Sequence, residues 1–175
     1  ISLSQVCKIF TIIMASMFGN FSLAAIHNIT KVESNTPRIN PPSILLLNSY
    51  HPQYAWTDKL TQGVQDALSA EMSIENLRIE YMDSRRNIDD KQYIEHLKNL
   101  LEYKYKNNQP DIIITSDDGA LDFILSNGST IFPNIPTVFS GVNIDKSEAL
   151  KGQNNITGIY EGMAIEENLN LIRQV

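Results

Sequence analysis

The chain has 175 residues, 42% of them hydrophobic, and its 14 basic and 20 acidic residues give a net charge of -6 and a pI near 5.0. Such a length and apolar content support one ordinary core, as one domain or one lobe of a larger protein, and exclude a low-complexity or disordered chain. Lys and Arg are scattered, with only Arg85 and Arg86 adjacent, which argues against a basic face that gathers nucleic-acid phosphates.

The N-terminus differs in character from the rest of the chain. Lys8 precedes an apolar run from Ile9 to Phe18, and Ser22-Leu23-Ala24 has the small-x-small pattern that a signal peptidase accepts. The pattern predicts a signal peptide over residues 1–25, cleaved after Ala24 or Ala25. Gly19, Asn20 and Ser22 interrupt the run, which favours cleavage over an uncleaved anchor of ~20 apolar residues. Cys7, the single cysteine, lies inside this segment, so disulfides, cysteine nucleophiles and thiolate metal sites are excluded from the mature domain. An exported domain without cysteine fits a bacterial periplasm. Residues 26–42, with Pro37, Pro41 and Pro42 among polar residues, read as an extended linker.

Ile44 to Leu47 is a compact apolar run of the kind buried on both faces of a parallel sheet. A polar and aromatic loop follows, Asn48-Ser-Tyr-His-Pro52, and Thr57 or Asp58 is positioned to cap a helix over about 57–71 with Leu60, Val64, Ala67 and Leu68 on one face. Leu77, Ile79 and Tyr81 alternate with Arg78 and Glu80, which predicts a strand near the sheet edge that ends in Met82-Asp83-Ser84-Arg85-Arg86. Asp89 or Asp90 can cap a second helix, carrying Tyr93, Ile94, Leu97, Leu100, Leu101 and Tyr105 to about Lys106.

Asp111-Ile-Ile-Ile-Thr115 is a second buried run. Ser116-Asp117-Asp118-Gly119 then opens a third helix, whose end Asn127-Gly128 marks as a C-terminal cap. Thr137-Val-Phe139 forms a fourth strand ending in Ser140-Gly141-Val142-Asn143. Ile156 to Tyr160 forms a fifth, and a last helix starts near Ile165. Strands alternating with helices predict an α/β, doubly wound parallel layer with right-handed crossovers. No internal repeat is visible, and no glycine-rich phosphate loop, since Ser116-Asp-Asp-Gly119 puts acids where such a loop needs bare amides.

In a parallel sheet the loops beyond the carboxyl ends of the strands lie along one rim, where ligands collect. The loops after the first four strands all open on short polar or flexible residues. Together they predict a cleft holding Ser49, Tyr50, His51, Trp56, Asp83, Ser116, Asp117, Asp118, Ser140, Gly141 and Asn143. Each also has a plainer reading. One of Asp117 and Asp118 is expected to cap the third helix and one to face the cleft. Ser116 and Ser140 can meet a ligand carboxylate or close a turn, and Arg85 and Arg86 can meet an anion or stay solvated. Tyr50, Tyr54 and Trp56 can stack on a flat ligand or pack the sheet edge. His51 has no nucleophile nearby in sequence, and His27 and His96 are too scattered for a metal site. No catalytic residue, metal or cofactor is predicted.

Leu47-Asn-Ser-Tyr-His-Pro-Gln-Tyr-Ala-Trp-Thr57, Ile79-Glu-Tyr-Met-Asp83, Pro110-Asp-Ile-Ile-Ile-Thr-Ser-Asp-Asp118, Pro133-Asn-Ile-Pro-Thr-Val-Phe-Ser-Gly-Val-Asn143 and Ile156-Thr-Gly158 resemble the ABC-transporter substrate-binding-protein-like family, over about residues 43–175. Members with this opening motif often form the periplasmic sensor region of bacterial histidine kinases and diguanylate cyclases. The resemblance implies a type I periplasmic-binding-protein fold, in which two α/β lobes close on a small organic ligand at their hinge. It places the N-terminal ligand-binding lobe at 43–163 and the start of a truncated second lobe at 164–175. The implied partners are an amino-acid-like or aromatic ligand, the missing second lobe and a membrane-linked signalling domain, and no nucleic acid. The rivals are a transport substrate-binding protein and a hydrolase using the acidic rim, with Asp117 or Asp118 as base and His51 as acid.

Overall fold

A computed structural model of the chain describes residues 42–69, 72–87 and 90–161. The signal peptide, all of the linker but Pro42, Asp89 and the start of the second lobe lie outside the described residues. Five parallel strands form one sheet in the order β2-β1-β3-β4-β5. They are β1 (Ile44–Asn48), β2 (Leu77–Tyr81), β3 (Ile112–Ser116), β4 (Thr137–Val142) and β5 (Ile156–Tyr160). Helices α1 (Ala55–Ser69), α2 (Lys91–Tyr105), α3 (Asp117–Ile131) and the short α4 (Ser147–Leu150) connect them, with a 3-10 turn at Ile74–Asn76 before β2.

The two apolar runs become the central pair. Every residue of β1 and of β3 is buried, and Ile44 through Leu47 are each 0% exposed. Alternation along β1 feeds two separate cores. Leu45 and Leu47 pack with Leu101, Tyr105, Ile113, Phe123 and Ile124 on the face of α2 and α3, while Ile44 and Leu46 pack with Leu60, Val64 and Leu68 of α1 on the other. Full burial of each such side chain contributes ~1.5–3 kcal/mol, so helices on both faces are what an apolar strand of this kind requires. The alternating strand β2 sits at an edge and is half-buried throughout, as its sequence predicts.

Local signals set most helix limits. Asp90 caps α2, its Oδ1 accepting from Gln92 N at 2.9 Å and Tyr93 N at 3.0 Å. At α1 the expectation is corrected, because the helix starts at Ala55 and ends at Ser69. Asp58 acts from within the first turn, accepting at 2.9 Å from the N–H of Gln53, which holds the preceding bend at φ 71°. Thr57 is wholly buried and its hydroxyl has no partner.

Two further expectations are corrected. Gly128 does not end α3, which runs on to Ile131, and its own position is buried mid-helix. A Cβ there would stand 3.1 Å from Ile124 Cγ2, so the glycine makes room within the helix, and the end falls at Phe132, whose N–H donates to Gly128 O at 2.7 Å. Ser140 and Gly141 belong to strand β4 rather than to the loop after it. Ser140 pairs with Ser116 of β3, and a bulge between Phe139 and Val142 leaves Gly141 at φ +72°.

Candidate functional site

The carboxyl ends of the strands are tied together through Ser49, the residue just past β1. Its hydroxyl donates to Ser116 O at 2.5 Å and accepts from Ala120 N at 2.7 Å, so it satisfies an amide in the first turn of α3 from another loop. Its carbonyl accepts from both the N–H of Ser84 at 2.9 Å and the Ser84 hydroxyl at 2.7 Å. Gly119 lies against both serines, and a Cβ there would come within 3.2 Å of Ser49 Oγ and 3.3 Å of Ser84 Oγ. Beneath this knot Ser116 Oγ donates to Asn48 Oδ1 at 2.9 Å, and Asn48 Nδ2 donates to Thr61 Oγ1 at 3.3 Å. Ser49 and Ser116 are 0% exposed, with these bonds made inside the protein.

Asp117 stands at a bend of the rim. It is the first residue of α3, directly after β3, at φ 65°, a left-handed conformation that costs about 1–3 kcal/mol outside glycine. The residue is only 3% exposed, and Oδ1 accepts from Trp56 Nε1 at 2.9 Å across 61 residues of sequence. Oδ2 is buried with no hydrogen-bond partner. Burial pushes the carboxyl up to about 6, with the Trp56 hydrogen bond and the neighbouring Ser116 hydroxyl opposing the rise and Asp118 and Glu161 adding to it. Gly141, positive in φ, lies beside it, and a Cβ there would come into contact with Asp117 Oδ1 at 3.4 Å.

Asp118 has a different task. Its Oδ2 accepts from Asn143 N and its Oδ1 from Ile144 N, both at 3.1 Å, which fastens the loop after β4 to the start of α3. The expected division between a capping and a cleft-facing aspartate is therefore corrected. Neither side chain caps α3, Asp118 is committed to the β4 loop, and Asp117 carries the free oxygen. Asn143 is exposed, and its Nδ2 donates to Gly141 O at 3.1 Å. Ser140 lies buried one residue before Gly141.

Aromatic rings line the neighbouring stretch. Tyr50 meets Tyr54 edge-on with centroids 5.4 Å apart, and His51 tilts against Tyr54 at 5.8 Å. The guanidinium of Arg85 lies 4.8 Å over the Tyr54 ring and donates to its hydroxyl. Burial raises the Tyr50 hydroxyl above its ordinary value, Asp117 and then Asp118 and Tyr54 add to this, and Arg85 opposes it. Tyr50 thus stands within the fields of both the acidic pair and the arginine. His51 Nδ1 donates to Pro52 O at 2.8 Å, a local bond. Asp83, at φ 49°, lies 3.6 Å from Arg86, and its Oδ1 is buried without a partner.

The rim therefore gathers the predicted residues from four loops, with Asp117 and Trp56 in direct contact. Tyr54, read from the sequence as a ring able to stack on a ligand, joins them, as do Ser84 and Glu161, which were not among the predicted cleft residues. The polar run after β2 and the end of β5 were the available signals for Ser84 and Glu161. Among the described residues no group of three or more His, Cys, Asp or Glu could hold a metal ion, and no helix is long and apolar enough to cross a membrane.

No family model matches the chain, and no curated protein matches it. Among solved structures it is similar to the crystal structure of a conserved domain protein from Vibrio cholerae O1 biovar El Tor, at 20% identity and a TM-score of 0.51. The match covers 77% of this chain and 44% of that one, so the chain spans less than half the length of the protein it resembles. At that identity the likeness is one of fold, an α/β layer with an all-parallel sheet flanked by helices.

Proposed function

We propose that this chain is the small-molecule-binding lobe of an exported bacterial receptor, a type I periplasmic-binding-protein-like lobe whose ligand sits at the carboxyl ends of the strands. The observation that carries the reading is the buried Asp117 carboxyl, held in a strained bend by Trp56 with one oxygen unspent, beside an aromatic wall of Tyr50 and Tyr54. Strain and an unsatisfied carboxylate are kept at a site where something else completes them. More than half of the similar Vibrio cholerae chain lies outside the match, room of the size that a second lobe needs. Closure of two lobes on the ligand then changes the angle between them, and that change is passed through the membrane to a signalling domain. The lobe itself performs no chemistry in this reading and needs no cofactor.

The test is a thermal-shift screen of the full-length protein against pools of amino acids, aromatic acids, nucleobases and oxoanions. A ligand of the folded state raises the melting temperature by mass action. Small-angle scattering then reads closure as a smaller radius of gyration with the hit bound. Pools that leave the melting temperature unchanged would sink the receptor reading. A hit on a protein whose full sequence continues into a transmembrane helix supports the sensor, and a hit on one that ends after a second lobe supports a transport-binding protein.

A further inference from the structure

Resting on that reading, we infer that Asp117 Oδ2 is the anchoring atom of the cleft and that it takes a protonated nitrogen, so that the ligand is an organic ammonium compound rather than an anion. Three observations converge on it. The oxygen is buried and unpartnered while its twin is fixed by the Trp56 indole, which leaves Oδ2 as the atom with unused hydrogen-bonding capacity. The charged and titratable groups around it come from several elements. Asp118 shares its helix, Glu161 follows β5, Tyr50 follows β1, and Arg85 lies beyond Tyr54. The groups that act on the Asp117 carboxyl as charges are acidic, and they disfavour a second anion there. Arg85, the cation of this neighbourhood, is occupied over the Tyr54 ring and hydroxyl.

On the β4 side the backbone of Gly141 comes close to the Asp117 carboxyl. Gly141 offers no side chain where a Cβ would stand 3.4 Å from Oδ1, the oxygen bonded to Trp56, and its φ of +72° makes a larger residue strained there. An ammonium group donating to Oδ2 completes the carboxylate as a buried charge-assisted pair. Tyr50 and Tyr54 then supply faces and edges to the ligand's apolar body.

The chemistry carries a pH signature. A cationic ligand binds the ionised carboxyl, whose free-state value is pushed up to about 6, so binding strengthens as pH rises through that value. Between pH 5 and pH 7 the ionised fraction rises about tenfold, and the dissociation constant falls about tenfold with it. An anionic ligand held by a protonated Asp117 gives the opposite slope.

The test compares matched probes on the full-length protein by thermal shift and calorimetry. The probes are butylamine and 2-phenylethylamine against butyrate and 3-phenylpropionate, each at pH 5 and pH 7. The expected result is stabilisation by at least one amine at pH 7, about tenfold weaker binding at pH 5, and loss of the shift in Asp117→Asn. Asparagine tolerates a positive φ, so that variant keeps the bend. In Trp56→Phe the amine still binds, with its pH midpoint moved upward because a bond that favours the ionised form is gone. Stabilisation by the carboxylates alone, an amine shift that survives Asp117→Asn, or silence from every amine overturns the inference. If the broad screen finds a ligand lacking a protonated nitrogen, only this inference falls; if that screen is empty, the receptor reading falls too.

Discussion

At the amino ends of the strands Ser43 and Asp111 exchange two hydrogen bonds, of 2.9 and 2.8 Å, and Arg78 reaches Ser43 Oγ and Asn108 O while lying over the Tyr105 ring. Farther along β2, opposite Leu47, Glu80 is held by Lys104 and the Tyr105 hydroxyl. At the carboxyl ends Asp83 and Asp117 are both bent into positive φ, and each keeps one buried carboxylate oxygen without a partner. The floor is closed mainly by pairs contributed from within the chain, with Gln109 Oε1 a buried acceptor left over among them. The difference lies in the backbone and in charge, because the rim alone of the two bends aspartates into positive φ and leaves carboxylate oxygens unpaired, the usual compromise where a protein keeps a site ready.

The comparison can be broken most forcefully at Ser49. Ser49→Ala removes a hydroxyl that donates to Ser116 O and accepts from Ala120 N, leaving a buried amide unsatisfied. The expected loss is ~3 kcal/mol, read as a lower urea midpoint with an unchanged slope. A cost below ~1 kcal/mol would show that the rim is not held together at this residue.

Asp117→Asn is expected to act in the other direction. Its carboxyl is raised from 3.8 to about 6 in the folded state, so the native protein binds the proton more tightly than the unfolded chain does. Stability contributed by this group therefore falls as pH rises from about 4 to about 6, and the full penalty stands above that window. Removing the charge stabilises the ligand-free protein by ~3 kcal/mol at pH 8, and the gain vanishes by about pH 4. Thermal melts of both proteins across that range decide it, and an equal difference at every pH would contradict the origin in burial.

Gly141→Ala forces a Cβ into a left-handed residue beside Asp117 and is expected to cost ~1–2 kcal/mol while weakening ligand binding. On the floor, Arg78→Met should cost ~1 kcal/mol by loss of two hydrogen bonds and leave ligand affinity unchanged. An affinity change there would blur the separation between the two ends. Arg85→Gln, at an exposed position, should move stability by less than ~0.5 kcal/mol.

Much of the fold was legible because its signals are local. The runs Ile44–Leu47 and Ile112–Thr115 are apolar without alternation, and β2 alternates because it lies at an edge. Asn127-Gly128 misled because a glycine after an apolar stripe looks the same whether it ends a helix or relieves crowding by Ile124; only its backbone angles separate the two. Ser140 and Gly141 looked like a loop because neither favours a strand, yet pairing across to β3 draws Ser140 in. For the site, topology alone placed the four loops on one rim. The bend at Asp117 and its bond to Trp56 depend on residues 61 apart, which no periodicity records. The same is true of Ser49, whose partners at Ser116 and Ala120 lie 67 and 71 residues away.

The strand order has a consequence for how the chain is made. Of the described strands β1 is the first to leave the ribosome, yet it takes a central place with both neighbours, β2 and β3, still to come. Its four apolar residues cannot be covered on both edges until Ser116 has been synthesised, 68 residues after Asn48. Until then they form an uncharged segment of the kind that pairs with other chains. Nascent chains halted before β3 should therefore stay protease-sensitive, and those that include it should begin to resist.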